Sequence, residues 1–308
     1  MWIFISGQTG FYFDMNRKNY NPKPPWLRKS LATGPEFEKT RTLLRREGLT
    51  TVCHEARCPN IRECFSRKTA TFMIMGNRCT RNCRFCAVAN GRPDPPDRSE
   101  PERLARAARD LGLRYVVVTS VTRDDLPDGG ASCFADTVQA ICKTIPCALV
   151  EVLIPDFSGN RDALLSVLEA KPSVMNHNIE TVERLYSDIR PGADYNRSLS
   201  LLKEAASRGE TVKTGLMLGL GETGKELEQT LRDSLNAGVR ILTMGQYLQP
   251  APDKERVSRF VPPEEFDEWK TEALHMGFTA VASGPFVRSS YNAAGLYNTF
   301  LAATSPSR

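Results

Sequence analysis

Cys79, Cys83 and Cys86 stand in the stretch TATFMIMGNRCTRNCRFCA between Thr69 and Ala87, spaced Cys-x3-Cys-x2-Cys. Three thiolates on so short a loop can hold three corners of a metal cluster and leave a fourth open. Zinc prefers four closed ligands, commonly from paired Cys-x2-Cys knuckles, and this loop has one knuckle and one further cysteine. The pattern points to an iron–sulfur centre with one iron free for an outside ligand. Phe85, between the last two cysteines, offers a flat apolar surface where an adenine can pack.

A second group, Cys53, Cys58 and Cys64, is spaced Cys-x4-Cys-x5-Cys around Pro59-Asn60. Alone it reads as a zinc half-site, as structural thiols, or as a second cluster short of one ligand. Near the C-terminus lies Arg288-Ser289-Ser290-Tyr291. A serine alkoxide is a poorer ligand than thiolate for iron in such a cluster, which suits a cluster meant to be taken apart. Spacing alone does not choose between the two serines.

Other polar residues carry weaker signals. Asn178 and Glu180 follow the fourth apolar run, where they can meet a ligand or cap the next helix. Asp124 and Asp125 read as an acid/base pair or as structural carboxylates, His177 as a satisfied buried histidine, and Arg190 as a partner for an acidic group. Cys133, Cys142 and Cys147 read as inert packing thiols. Gly219, Gly221 and Gly224 spell Gly-x-Gly-x-x-Gly, but Ile241 to Gly245 supplies no acid where a dinucleotide fold needs one. The turn reads as a tight corner or a close approach of backbone to ligand.

The elements that must position these groups alternate. Apolar runs at 71–75, 115–119, 148–154, 173–176, 212–218, 240–244 and 279–282 read as strands buried on both faces. Amphipathic stretches between them, such as Glu102 to Leu113, Arg197 to Arg208, Lys225 to Ala237 and Pro263 to Met276, read as helices, and Gly112, Gly209, Gly238 and Gly277 mark their stops. A shorter helix is expected from Phe37 to Glu47. This predicts an α/β fold: a partial parallel (β/α)6 TIM-like barrel over 69–285, preceded by an N-terminal extension (1–68) carrying Cys53, Cys58 and Cys64. A C-terminal segment (286–308) is expected to cap the open face. In such a barrel the polar strand ends gather on one face, with the Cys79–Cys86 loop among them.

At 308 residues, with 41% hydrophobic and 25% charged residues, the chain has the composition of a globular protein with a large core. A net charge of +5 is too dilute to argue for nucleic acid unless it clusters. It clusters between Arg17 and Arg46, as a solvated arm or a docking surface for an acidic domain. Six of the nine cysteines crowd into residues 53–86, which favours metal binding in a reducing compartment over a disulfide scaffold. Met1 to Phe13 makes a poor signal peptide and is too short to span a membrane, and Met15 is a second possible start. The expected location is cytoplasmic.

The Cys79–Cys86 loop resembles the signature of the radical S-adenosylmethionine (SAM) enzymes. In that superfamily the open iron is chelated by the methionine moiety, and an electron from the cluster yields a 5′-deoxyadenosyl radical. With Cys-x4-Cys-x5-Cys and Arg-Ser-Ser-Tyr, the chain from about Pro25 to Tyr291 resembles the lipoyl synthase family. The strings VVTSVTRDDLPDGGA, EVLIPDF, NHNIET, GLMLGLGET and GQYLQP carry the same likeness. It departs from the family's pattern at Ala251 and Lys254, where serine and histidine are common, and at Asn292, where histidine is usual.

The resemblance implies that Cys79, Cys83 and Cys86 hold a SAM-binding [4Fe–4S] cluster, and that Cys53, Cys58, Cys64 and Ser290 hold an auxiliary [4Fe–4S] cluster. It favours Ser290 over Ser289, and Phe85, Asn178 and Glu180 as SAM contacts. It implies insertion of two sulfur atoms, at C6 and C8 of an octanoyl group on a lysine of a lipoyl carrier domain, with the auxiliary cluster consumed as donor. The implied partners are octanoylated carrier domains (2-oxoacid dehydrogenase E2 subunits and the glycine cleavage H protein), an electron donor and a cluster-rebuilding iron–sulfur carrier, with no nucleic acid or membrane. The alternatives are another radical SAM sulfur-inserting enzyme, related to biotin synthase, and a non-catalytic zinc module whose basic arm binds nucleic acid. The Cys53–Cys64 spacing and the terminal Arg-Ser-Ser-Tyr argue against the first.

Overall fold

The computed structural model describes residues 22–29 and 34–305. Met1 to Phe13, Met15, Arg17 and Lys18 lie outside them. Within the N-terminal extension, helix α1 (Pro35–Arg46) is followed by two short helices, α2 (Val52–Glu55) and α3 (Ile61–Ser66). The barrel begins with β1 (Thr71–Ile74), followed by the short strands β2 (Arg78–Cys79) and β3 (Ala89–Asn90). Helix α4 (Glu100–Asp110), β4 (Tyr115–Ser120), α5 (Ala131–Thr144), β5 (Leu149–Leu153), α6 (Arg161–Glu169) and β6 (Val174–Asn176) continue it. The second half comprises α7 (Tyr186–Ile189), α8 (Tyr195–Ser207), β7 (Val212–Leu218), α9 (Gly224–Asn236), β8 (Ile241–Gln246), α10 (Pro263–Met276) and β9 (Ala280–Gly284). Helix α11 (Ala293–Thr304) ends the described chain.

Seven parallel strands pair in the order β1–β4–β5–β6–β7–β8–β9, with register such as Thr71 opposite Val117 and Leu218 opposite Gln246. All seven apolar runs are strands of this sheet, so the barrel is six β/α units plus a seventh strand. It does not close, because β1 and β9 do not pair. The strands are buried on both faces, as the unbroken apolar runs require: every residue of β1 and of β8 is buried.

The gap between β1 and β9 is filled from both ends of the chain. The free edge of β1 receives an antiparallel bridge from Thr51 to Phe72, and Met73 N donates to Thr50 O at 2.9 Å. Helices α1 and α3 back this segment through the Phe37 and Phe65 rings, 5.7 Å apart, and through Thr40 Oγ1 donating to Phe65 O. From the other end, residues 285–291 leave β9 and cross to the inner wall of the barrel. Gly245 on β8 makes room for them, since a Cβ there would lie 2.0 Å from the Val287 carbonyl oxygen. A glycine inside a strand marks such a close approach of backbone. The C-terminal segment therefore closes the barrel from inside its lateral opening.

Helix α11 then packs Leu296, Tyr297 and Phe300 against Ile241 and Ala280, the first residues of β8 and β9. The Tyr297 ring also meets that of Tyr115, the first residue of β4, at 5.8 Å. The N-terminal end of the barrel is thus covered by an apolar helix. Lys29 in the basic arm does not reach for solvent: its Nζ bonds Asn60 Oδ1 (2.6 Å) and Glu63 Oε2 (2.7 Å) and lies over the Phe286 and Tyr291 rings. Lys39, Arg41 and Arg46 pair with Glu36, Glu38 and Glu47, so much of the described arm's charge is neutralised locally.

His177 is buried with both ring nitrogens bonded, Nδ1 to Ile154 O (2.8 Å) and Nε2 to Ser198 Oγ (3.0 Å). Burial, assisted by Arg190, pushes its pKa down to about 4 from 6.5. The unfolded chain therefore takes up this proton first as pH falls. The contribution is full above pH 6.5 and is lost progressively down to pH 4, by roughly 3 kcal/mol for this one group. Urea unfolding across that window should show the loss, and a His177→Asn variant should show markedly less of it.

Candidate metal centres

The Cys79–Cys86 loop lies across the C-terminal ends of β1 and β4. Strands β2 and β3 pair at its base, and Thr80 N donates to Thr122 O at 3.1 Å. The Cys79 sulfur accepts from Arg81 N (3.4 Å) and Thr122 N (3.3 Å). Burial raises the thiols of Cys83 and Cys86, the latter to about 12. Thiols so desolvated ionise when a metal supplies the compensating charge. Phe85 packs with Ile189, Leu220 and Tyr247, which sets its ring into a small apolar cluster beside the cysteines.

Facing this loop, Asn178 and Glu180 follow β6. Asn178 Nδ2 donates to Glu180 Oε1 at 3.0 Å, and Glu180 holds a left-handed backbone (φ 69) pinned to β7 through Gly215 O and Met217 N. A non-glycine residue held there at a candidate site is strain maintained by its surroundings. Burial raises the Glu180 carboxyl, against the pull of Arg190. Arg190 is itself buried: its Nη1 donates to Asn178 O (2.9 Å) and to the Tyr186 hydroxyl, and its guanidinium lies over the Tyr186 ring. Its Nε has no partner among the described residues, which leaves one donor for an anionic group.

A clamp absent from the sequence reading holds the cysteine loop. Arg81 donates Nε and Nη2 to the two Asp124 oxygens (2.7 and 2.8 Å) and Nη2 to Asp156 Oδ1 (2.7 Å). Arg197 Nε takes the other Asp156 oxygen at 2.9 Å. Burial alone would raise Asp156, yet Arg81 outweighs it and holds the carboxyl below the usual range. Asp124 therefore serves structure, and Asp125 does likewise by pairing with buried Arg123 at 2.8 Å. The two aspartates do not form an acid/base pair.

The second cysteine group opens on a cavity of about 130 Å³ in the lateral gap, inside the first halves of β1 and β4. Cys53, Cys58 and Cys64 line it together with Ser290, Arg288 and Tyr291. Burial pushes Cys53 up to about 12 and Cys64 up to about 11. Ser290 Oγ accepts from Thr71 Oγ1 at 2.7 Å, a contact that suits a negatively charged oxygen. Ser289 is not on the cavity wall. Its hydroxyl donates to Asn178 Oδ1 (2.8 Å) and accepts from Asn176 Nδ2 (2.8 Å). The wall is braced outside by Asn60 Nδ2 donating to Phe286 O (2.7 Å) and by the Tyr291 hydroxyl donating to Glu63 (2.8 Å).

Among the described residues, no three His, Cys, Asp or Glu side chains converge as a single metal ion requires. A mononuclear zinc site needs that convergence. Three thiols and a hydroxyl around one cavity suit a cluster, whose ligands bind different irons. The Gly-x-Gly-x-x-Gly turn offers no anion site either, because Glu222 occupies its amides, accepting from Gly219 N (2.6 Å) and Leu220 N (2.9 Å). Cys142 and Cys147, expected to pack, are exposed, while Cys133 is half-buried.

Residues 73–234 match the radical SAM superfamily. A lipoyl synthase of Desulfotalea psychrophila is 61% identical over 277 residues, covering 89% of this chain and 93% of that protein. One of Chlorobium phaeovibrioides is 53% identical over 271 residues, covering 87% and 95%. Among solved structures, SuiB of Streptococcus suis bound to S-adenosylmethionine aligns with a TM-score of 0.54 at 12% identity, over 72% of this chain. This chain spans about half of SuiB (53%), and the likeness is one of fold. HydG, a maturase of the [FeFe]-hydrogenase, aligns with a TM-score of 0.51 at 16% identity, over 79% of this chain and 65% of its own.

Removing Arg81 leaves the buried Asp156 carboxylate half-paired, and breaking such a pair costs about 3–5 kcal/mol. An Arg81→Gln variant should therefore unfold at lower denaturant. Once reconstituted with iron, it should also release iron to a chelator several-fold faster than the parent protein, as followed by absorbance and iron analysis.

Proposed function

The chain belongs to the lipoyl synthase family, within the radical SAM superfamily, and from that premise we propose a reaction and the residues that carry it. As a member it is a sulfur-inserting enzyme that uses SAM and a [4Fe–4S] cluster. The proposed reaction places two sulfur atoms at C6 and C8 of an octanoyl group on a lysine of a lipoyl carrier domain. When bound, SAM and its cluster supply a radical able to take hydrogen from an alkyl carbon, and a second cluster supplies the sulfur.

Cys79, Cys83 and Cys86 are assigned the SAM-binding cluster. Asn178, Glu180 and Phe85 are assigned the nucleoside and methionine groups, and the orphaned Arg190 Nε suits the methionine carboxylate. Cys53, Cys58, Cys64 and Ser290 are assigned the auxiliary cluster. The observation that carries the reading is the meeting of Ser290 with those three cysteines on one cavity, across more than two hundred residues of sequence. Thr71 holds the Ser290 oxygen in place, and Val117 and Leu113 give the cavity an apolar wall. The partners follow from the reaction: carrier domains, an electron donor and a source of replacement clusters. Nine free cysteines suit the reducing cytoplasm, and no helix among the described residues is long and apolar enough to cross a membrane.

Mass spectrometry of an octanoyl-lysyl carrier peptide after anaerobic incubation with SAM and reductant should show gain of two sulfurs, and an unmodified peptide would sink the reading. Reconstituted protein should hold about eight irons on the two-cluster assignment. Cys83→Ala should abolish 5′-deoxyadenosine production while keeping about half of that iron. Ser290→Ala should spare SAM cleavage and lose at least ten-fold in sulfur insertion, whereas equal loss of both would count against Ser290 as a donor-cluster ligand.

A further inference from the structure

Between the two centres runs a continuous chain of buried and part-buried polar groups, of which the proposed reaction uses only Asn178 and Glu180. It starts at Glu151 on β5, whose carboxylate accepts from Lys213 Nζ on β7 (2.8 Å) and from the Tyr115 hydroxyl on β4 (2.7 Å). Glu151 and Lys213 are each 1% exposed. An ion pair so far from water persists only with its remaining hydrogen-bonding capacity met. Asn176 on β6 helps to meet it, donating one Nδ2 hydrogen to Glu151 Oε1 at 2.8 Å. Because a paired carboxylate only accepts, the orientation of the Asn176 amide is dictated, and its second Nδ2 hydrogen goes to Ser289 Oγ.

Ser289 has a single hydroxyl hydrogen, and with Asn176 donating to its oxygen that hydrogen goes to Asn178 Oδ1. Asn178 in turn donates Nδ2 to Glu180. Asn176 donates both ways, back to Glu151 and on to Ser289, and from there every link points toward the wall assigned to SAM. The same chain explains why Ser289 is the wrong serine for a metal: as an alkoxide it would lose the donor that Asn178 requires. Ser290, next in sequence, faces the other way into the cysteine cavity and meets Thr71.

We propose that Ser289 is a positioning residue that ties the two centres together, holding Asn178 for the SAM site on one side and Ser290 for the auxiliary cluster on the other. The inference rests on the cluster assignments above and goes beyond them by joining the sites through one hydroxyl. A change in how Asn178 is engaged then reaches Ser290 through the one backbone link between Ser289 and Ser290.

The test compares the reconstituted parent protein with Ser289→Ala and Ser289→Thr, the latter keeping a hydroxyl. Two quantities are read apart from turnover: SAM affinity by equilibrium binding, and the rate of iron loss from the auxiliary cluster to a chelator, followed in a Cys83→Ala background so that only that cluster contributes. Ser289→Ala should weaken SAM binding about five- to ten-fold, the size of one or two lost buried hydrogen bonds, and should speed auxiliary iron loss by a similar factor. Ser289→Thr should restore most of both. Both quantities within two-fold of the parent in Ser289→Ala would overturn the proposal. So would a change in only one of them, since the hydroxyl would then serve a single site. Failure of the cluster assignments shows separately, as parent protein without about eight irons or a Cys83→Ala background without an auxiliary cluster to follow.

Discussion

Seven parallel strands with helices on their outer face do not close a barrel, and the gap between β1 and β9 is the constraint on which the rest of this structure depends. A free edge leaves backbone donors and acceptors unpaired, and an open lateral wall leaves the interior to water. The chain answers with its two ends. Thr50 and Thr51 pair with the edge of β1, and residues 285–291 pass inside the opening over Gly245. Cys53, Cys58 and Cys64 follow directly from the first patch, and Ser290 lies in the second. The cavity they share forms where the fold has to be completed.

The polar interior is built in two grades. One grade is paired within the protein: Lys213 with Glu151, and Arg81 with Asp124, Asp156 and Arg197. These contacts are short and centre on the buried Glu151, Lys213 and Asp156, so they fix the walls before any cofactor arrives. The other grade is left unsatisfied. Burial raises the thiols of Cys53, Cys64, Cys83 and Cys86, and Arg190 Nε has no partner among the described residues. A rigid frame around groups that need a counter-charge is a preorganised site, in which cluster binding does not have to be offset by ordering the chain.

Arg288 shows how closely the two centres are packed. Burial lowers its pKa, while the charges of Cys58 on one side and Glu180 on the other oppose that. One guanidinium thus responds to groups assigned to both clusters. Together with Ser289 it makes the Arg-Ser-Ser-Tyr segment a partition between the centres, with successive residues serving opposite sides.

Much of this protein could be read before folding. All seven strands were visible as apolar runs, because strands buried on both faces cannot carry an alternating pattern, and helices α4, α8, α9 and α10 showed their buried stripes. The cysteine groups stood out because residues on one short loop are neighbours in sequence as well as in space. The Arg81 clamp, the Lys213–Glu151 pair and the Ser289 bridge were invisible, because each joins groups from different strands or loops, tens to more than a hundred residues apart. A lysine within VKTGLML and an arginine among cysteines gave no sign of their partners. Spacing singled out the two cysteine groups. Which serine faces the cavity, and which faces the other way, was decided only when residues 285–291 threaded the gap and their side chains had to take opposite sides of one backbone.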